Sequence, residues 1–159
     1  MKKFLIVFLA IILAFSLFSC NRNTVKYKCH EITIRLPEEF SHYEVDGYTM
    51  GFENEKVSIA GLREDYKTYP ELTSLSLEQY SNFILDNNSA RGMKRSEYFG
   101  EMASAEHTYL NTENNQNYKY FSVMLKTHQA FWLIQFSCAE SDYETLKPQF
   151  IEWAKTIRY

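Results

Sequence analysis

The chain has 159 residues, with 20 acidic side chains against 17 basic ones and a formal charge of −3. That length suffices for one domain with a sizeable core. The acidic balance and the lack of any basic cluster argue against nucleic-acid binding, which needs clustered cations to neutralise phosphates.

The first nineteen residues differ from all that follows. Lys2 and Lys3 precede Phe4 to Phe18, fifteen residues that are apolar except for Ser16. At about 1.5 Å per residue this run reaches roughly 22 Å, short of the ~30 Å of bilayer hydrocarbon. Asn21 and Arg22 end the apolar stretch at once. The pattern is that of a secretory signal rather than a membrane span. Its closing Leu17-Phe18-Ser19-Cys20 resembles the lipobox of bacterial lipoprotein precursors, although Phe18 is bulkier than the usual occupant. The resemblance implies that the Cys20 thiol carries diacylglycerol and that cleavage leaves Cys20 as the first residue of a 140-residue mature chain with 15 basic and 20 acidic groups. Two or more acyl chains hold a protein stably at a membrane, whereas one binds reversibly.

Asn21 to Tyr27 is polar and reads as a tether, making residues 20–27 a lipidated linker ahead of one domain over Lys28–Tyr159. His30, Ile32, Ile34 and Leu36 alternate with polar residues and predict a half-buried strand, ended by Pro37. Tyr43–Phe52 and Lys56–Leu62 predict a hairpin through Glu53-Asn54-Glu55. Tyr66–Leu75, with Pro70, predicts a loop. Ser76 and Gln79 form a capping box that opens a helix with an apolar stripe of Leu77, Tyr80, Phe83 and Ile84, leaving at Asn87-Asn88.

Lys94–Phe99 and Met102–Leu110 predict two strands turning at Gly100, and the polar run Asn111–Asn117 predicts an exposed loop. Tyr118–Lys126 and Ala130–Cys138 predict a second hairpin. In its second strand Trp132, Ile134 and Phe136 face one way while Phe131 and Leu133 face the other, so the strand is central and covered on both sides. A second capping box, Ser141 with Glu144, precedes a stripe of Tyr143, Leu146, Phe150, Trp153 and Ile157. Pro148 predicts a break there: a short helical turn, then a helix with Pro148 in its first turn. The order strands, helix, strands, helix, with tight turns between neighbouring strands, specifies an α+β fold: an antiparallel sheet of about six to seven strands flanked by helices.

Ile32-Thr33-Ile34-Arg35-Leu36-Pro37 opening the domain, a helix near its middle, the Phe121–Phe136 hairpin, and the closing Tyr143, Phe150 and Thr156-Ile157-Arg158 resemble the PsbP-like superfamily, including its DcrB-like bacterial lipoproteins. The resemblance spans nearly the whole mature domain and implies an α/β/α sandwich. It implies no catalytic constellation and no cofactor, since members act mostly as accessory or binding modules. Fold alone supplies no function.

The residues themselves nominate little chemistry. His30, His42, His107 and His128 are scattered and show no metal-ligand spacing. No GxSxG, phosphate-binding glycine loop or dinucleotide fingerprint is present. Glu38-Glu39, Glu53 with Glu55, and Glu64-Asp65 read as solvated turn acids. Cys29 and Cys138 have two readings, a disulfide closing a long loop or two separate thiols. There are 26 aromatic side chains, four of them in the leader. Tyr43, Tyr48, Tyr66, Tyr69, Tyr98, Tyr109, Tyr118 and Tyr120 either cover sheet edges or form an exposed stripe suited to an interface.

The expectation is a non-enzymatic binding or accessory module of the cell envelope. Lipid on Cys20 holds it at the periplasmic side of the outer membrane, and it works through protein contacts, an immunity-type lipoprotein being one case. The rivals are a small-ligand carrier, with a pocket between the sheet and the loops Tyr66–Leu75 or Asn111–Asn117, and an unrecognised hydrolase.

Overall fold

The structure, a computed structural model, describes residues 23–88, 92–96, 100–111 and 115–159. Eleven elements are named: β1 (Thr24–Cys29), β2 (Ile32–Pro37), β3 (Ser41–His42), β4 (Met50–Glu53), β5 (Val57–Asp65), α1 (Leu77–Asn87), β6 (Lys94–Arg95), β7 (Ala103–Asn111), β8 (Gln116–Lys126), β9 (Ala130–Ala139) and α2 (Tyr143–Ala154). Strands β3-β4-β5-β9-β8-β7-β6 form one antiparallel sheet of seven, and β1 with β2 forms a separate two-stranded sheet. The α+β architecture expected from the sequence is present.

Strand β9 lies at the centre and divides the core by alternation. Trp132, Ile134, Phe136 and Cys138 face one cluster, completed by Ile32, Ile34 and Leu36 of β2 and by Tyr143, Phe150 and Ala154 of α2. Phe131 and Leu133 face the other, completed by Met124, Ala103 and Ala105 and by Tyr80 and Ile84 of α1. The β1–β2 hairpin and α2 therefore cover one face of the sheet, and α1 covers part of the other. The C-terminal residues run beside β2: Thr33 and Arg158 exchange backbone bonds of 2.8 and 3.0 Å.

Several local expectations change. Thr24–Cys29 is a strand, paired from Thr24↔Pro37 to Cys29↔Ile32, rather than tether up to Tyr27. Val25, Tyr27 and Cys29 alternate with Lys26 and Lys28, and Tyr27 and Cys29 pack against the core, but the lysines and the exposed start made so short a pattern read as polar. The strand before the first hairpin of the large sheet is only Met50–Glu53, because residues 43–49 leave the sheet plane. Residues 70–74 of the expected loop form a 3-10 turn. Helix α1 starts at its capping box as expected, but Phe83 is 52 % exposed, and Ser81 is buried among Tyr80 and Ile84 instead. The expected loop Asn111–Asn117 shrinks, since β7 ends at Asn111 and β8 begins at Gln116. The turn at Gly100 has the left-handed φ of +59° that glycine adopts without strain. Residues 97–99 of the expected Lys94–Phe99 strand lie outside the described residues.

The second capping box is absent. Ser141 lies in a 3-10 turn, Glu140–Asp142, and Asp142 precedes α2 without a side-chain cap. Helix α2 then runs unbroken through Pro148, its sixth residue. Proline removes the bond to the Glu144 carbonyl, but both residues are exposed and water can serve that oxygen. The packing of Tyr143 and Phe150 outweighs the lost bond. Pro148→Ala restores an amide donor at an exposed position and is expected to stabilise the domain by about 1–3 kcal/mol, read by urea unfolding.

Candidate interaction surface

One face of the central strands changes character along its length. Near α1 it carries Phe131 and Leu133 of β9 and Met124 of β8, all packed under the helix. Further along, the same face carries Gln135 and Ser137 of β9, then Ser122, Tyr120 and Tyr118 of β8, with His107 and Tyr109 of β7 and Ser58 and Ala60 of β5. Alternation assigns these side chains, because their neighbours Phe136, Phe121, Val123 and Ile59 lie in the opposite cluster. Among the described residues no helix covers this half.

Register draws the residues into rows. His107 stands opposite Tyr120, Tyr120 opposite Ser137, and Ser137 opposite Ser58. Tyr109 stands opposite Tyr118, while Ser122, Gln135 and Ala60 form the next row. The His107 and Tyr120 rings stack with centroids 4.6 Å apart and planes 10° from parallel. Gln135 donates to Ser122 Oγ at 3.4 Å, and Ser137 Oγ donates to the Ser58 carbonyl at 3.2 Å.

Residues 43–49 fold over one side of this floor, and Gly51 permits it. A Cβ at Gly51 would lie 2.4 Å from the Tyr43 carbonyl oxygen and 2.7 Å from Val45 Cγ2, so a larger residue would push the loop off the sheet. Tyr43 N donates to the Gly51 carbonyl at 3.1 Å, and Thr49 N to that of Gly61 at 2.8 Å. From this loop the Tyr48 hydroxyl donates to Gln135 Oε1 at 3.1 Å. Burial pushes the Tyr120 phenol above its usual range, and the neighbouring phenols of Tyr48, Tyr109, Tyr43 and Tyr118 push the same way. Five tyrosines thus share one neighbourhood. Tyr48 and Tyr109 remain 39 % and 47 % exposed.

A polar cluster sits at the other end of the molecule. Glu31, in the β1–β2 turn, accepts from Trp132 Nε1 at 3.0 Å and from Thr127 Oγ1 at 2.9 Å through one oxygen. The other oxygen meets Arg63 Nε at 3.1 Å. Arg63 also bonds Asp65 and, at 3.4 Å, Gln129 Oε1. Partial burial works to raise the Glu31 pKa, but the bonds from Trp132, its own backbone, Thr127 and Arg63 outweigh it and hold the carboxyl below its usual range. Every acceptor in this cluster is engaged, so its geometry is that of a structural clasp between the hairpin and the sheet. An open depression of about 490 Å³ adjoins it, lined by Glu31, Glu101, Lys126, His128, Gln129 and Tyr159.

Of the tyrosines singled out from the sequence, Tyr43, Tyr48, Tyr109, Tyr118 and Tyr120 come together. Tyr66 does not, because its ring meets Phe131 edge-on at 5.7 Å beside α1. Tyr69 lies in the turn before the 3-10 residues, and Tyr98 is outside the described residues. Gln135, Ser137 and His107 escaped sequence reading, although the parity of β8 and β9 would have placed them beside the tyrosines. The histidines stay apart, on the β1–β2 turn, β3, β7 and the β8–β9 turn. Glu64 and Asp65 are not solvated turn acids: Glu64 accepts from the Tyr80 hydroxyl and Asp65 from Arg63.

Cys20 lies outside the described residues. Cys29 and Cys138 are free thiols, not a disulfide. Cys29 Sγ is 3.6 Å from the Thr49 carbonyl, and Thr49 bonds Gly61, whereas Cys138 stands opposite Val57. Those two levels of β5 are four residues apart, about 13 Å, well beyond disulfide reach. Burial first, then the Asp142 carboxylate, pushes the Cys138 thiol up to about 11. In the folded Cys20→Ser protein at pH 8, we expect Cys29 to react with a thiol reagent well before Cys138, which should react only on unfolding. Equal rates in the folded state would contradict this packing.

No family model matches the sequence, and no curated protein matches it by sequence. Solved structures do. The cyanobacterial PsbP (CyanoP) of Synechocystis sp. PCC 6803 aligns over 89 % of this chain and 95 % of its own, with a TM-score of 0.56 at 10 % identity. The chain has the PsbP-like fold. The Ran-binding protein Mog1p of Saccharomyces cerevisiae shares that fold, aligning over 87 % of this chain and 96 % of its own with a TM-score of 0.54 at 9 % identity. So does a protein of unknown function from Pseudomonas aeruginosa, PA94, described as a putative regulator: it covers 84 % and 95 %, with a TM-score of 0.51 at 11 % identity. In this chain the polar, tyrosine-bearing half-sheet lies outside both hydrophobic clusters.

Proposed function

We propose that the protein is a lipid-anchored, non-enzymatic module of the cell envelope that holds a protein partner on the half-sheet built by Tyr48, His107, Tyr109, Tyr118 and Tyr120. The carrying observation is the convergence of these rings on one face beyond the reach of α1. Tyrosine offers a broad apolar surface and a polar tip at low entropic cost, and it is enriched where proteins meet. A PsbP-like neighbour described as Ran-binding agrees with a protein-contact role for the fold.

The anchor is Cys20, at the periplasmic side of the outer membrane. Asn23 is tied into the fold by the bond of 3.1 Å from Glu38 N to its carbonyl. Three chain links separate it from Cys20, so the lipidated residue lies within about 11 Å of Asn23. Radiolabelled palmitate should enter the wild-type chain and not Cys20→Ala. In the same cells a photo-crosslinking residue at Tyr109 should trap a partner that one at exposed Glu152, on α2, does not. Label in Cys20→Ala would overturn the anchor. Equal trapping at both positions would overturn the docking surface.

A further inference from the structure

The charge around the tyrosine floor narrows what can sit on it. Glu53 of β4 shares the face of Gly51, since Met50 and Phe52 lie in the opposite cluster, and it pairs with Ser58 at the end of the His107–Tyr120–Ser137 row. The loop that folds over Gly51 carries Glu44 and Asp46, both exposed. Lys56, the nearest cation in sequence, lines a depression with Leu146 and Trp153 on the α2 side. Arg95, on the side toward α1, bonds Ser81 and Asn82 of that helix. Among the described residues none of these three carboxylates has an ion pair, and aromatic faces beside such carboxylates attract guanidinium and ammonium groups by cation–π and charge contacts together.

We propose that the segment bound here is an extended, arginine- or lysine-bearing stretch of the partner polypeptide, lying along β8 with its cations over Tyr120 and Tyr109 and toward Glu44, Asp46 and Glu53. This rests on the half-sheet being the docking surface and adds the chemistry of its occupant. An extended chain places alternate side chains on one side, which matches the two-residue spacing of Tyr118 and Tyr120.

The test uses the full-length chain in neutral detergent and three fluorescent peptides alternating glycine with arginine, glutamate or serine. The arginine peptide should bind at least about tenfold tighter than the other two. Glu44→Gln, Asp46→Asn and Glu53→Gln together should weaken it about tenfold, and Tyr109→Ala severalfold. The same loss of charge through Glu38→Gln, Glu71→Gln and Glu152→Gln should cost less than about twofold. Equal losses from the two charge sets, stronger binding of the serine or glutamate peptide, or binding of none would overturn the proposal. A partner trapped at Tyr109 through a segment lacking arginine and lysine would sink this inference and leave the docking surface standing.

Discussion

Glu31→Ala will lower the unfolding free energy by about 2–4 kcal/mol, one of the largest losses expected from any single polar residue in the chain. The carboxylate is 17 % exposed and the Arg63 side chain 8 %. Its removal strands the Trp132 indole N–H and takes one partner each from the Thr127 hydroxyl, which keeps the Ala130 carbonyl, and from the Arg63 guanidinium, which keeps Asp65 and Gln129. It also unfastens the β1–β2 hairpin from β5, β9 and the β8–β9 turn. Because the Glu31 pKa is lowered on folding, its contribution is fully present above the ordinary carboxylate range and disappears as pH falls through the lowered value. Glu31→Gln should therefore flatten the acid limb of the stability curve in urea titrations run from neutral pH down to pH 3. A variant with wild-type stability and an unchanged acid limb would contradict the clasp.

The second large effect should fall on binding and spare the fold. Tyr48→Ala with Tyr109→Ala removes two exposed rings and should change stability by no more than about 1 kcal/mol. The same pair should weaken the partner by about a hundredfold or more, because tyrosines at an interface centre commonly contribute 2 kcal/mol or more each. Tyr69 is the internal comparison. It is 45 % exposed, close to the 47 % of Tyr109, yet it stands beside the 3-10 turn away from the half-sheet. Tyr69→Ala should leave binding within about twofold. Equal losses at Tyr69 and Tyr109 would mean that exposure, and not position on the sheet, governs the contact.

Much of the fold was legible because its strongest signals were periodic. The alternation of β9 separated Trp132, Ile134 and Phe136 from Phe131 and Leu133, and those two sets occupy the two cores. Ser76 and Gln79 cap α1 in both directions, at 3.1 and 2.8 Å. Misreadings arose where tertiary packing overruled a local rule. Pro148 breaks an isolated helix, yet Tyr143 and Phe150 are fully buried and hold both halves of α2 on the sheet. Thr24–Cys29 carries only a short alternating face, Val25, Tyr27 and Cys29, and its two lysines and partial exposure gave it the look of a tether although Tyr27 and Cys29 pack against the core. Ser141 matched a capping pattern whose backbone took a 3-10 path.

The candidate surface was half legible. Composition pointed to tyrosines, but eight positions scattered over 78 residues carry no statement of which ones meet. Only the registers Tyr109↔Tyr118 and His107↔Tyr120, and a loop crossing at Gly51, bring five of them together. The Glu31 clasp left no signal. Its partners Arg63, Thr127 and Trp132 are 32, 96 and 101 residues away, and no motif joins them.

Hydroxyl-radical footprinting of the chain in intact cell envelopes tests the central claim most directly. Oxidation of Tyr48 and Tyr109 should fall severalfold relative to the purified protein, while Tyr69 stays unchanged. Undiminished oxidation at Tyr48 and Tyr109, or protection confined to Tyr69, would contradict a partner seated on this half of the sheet.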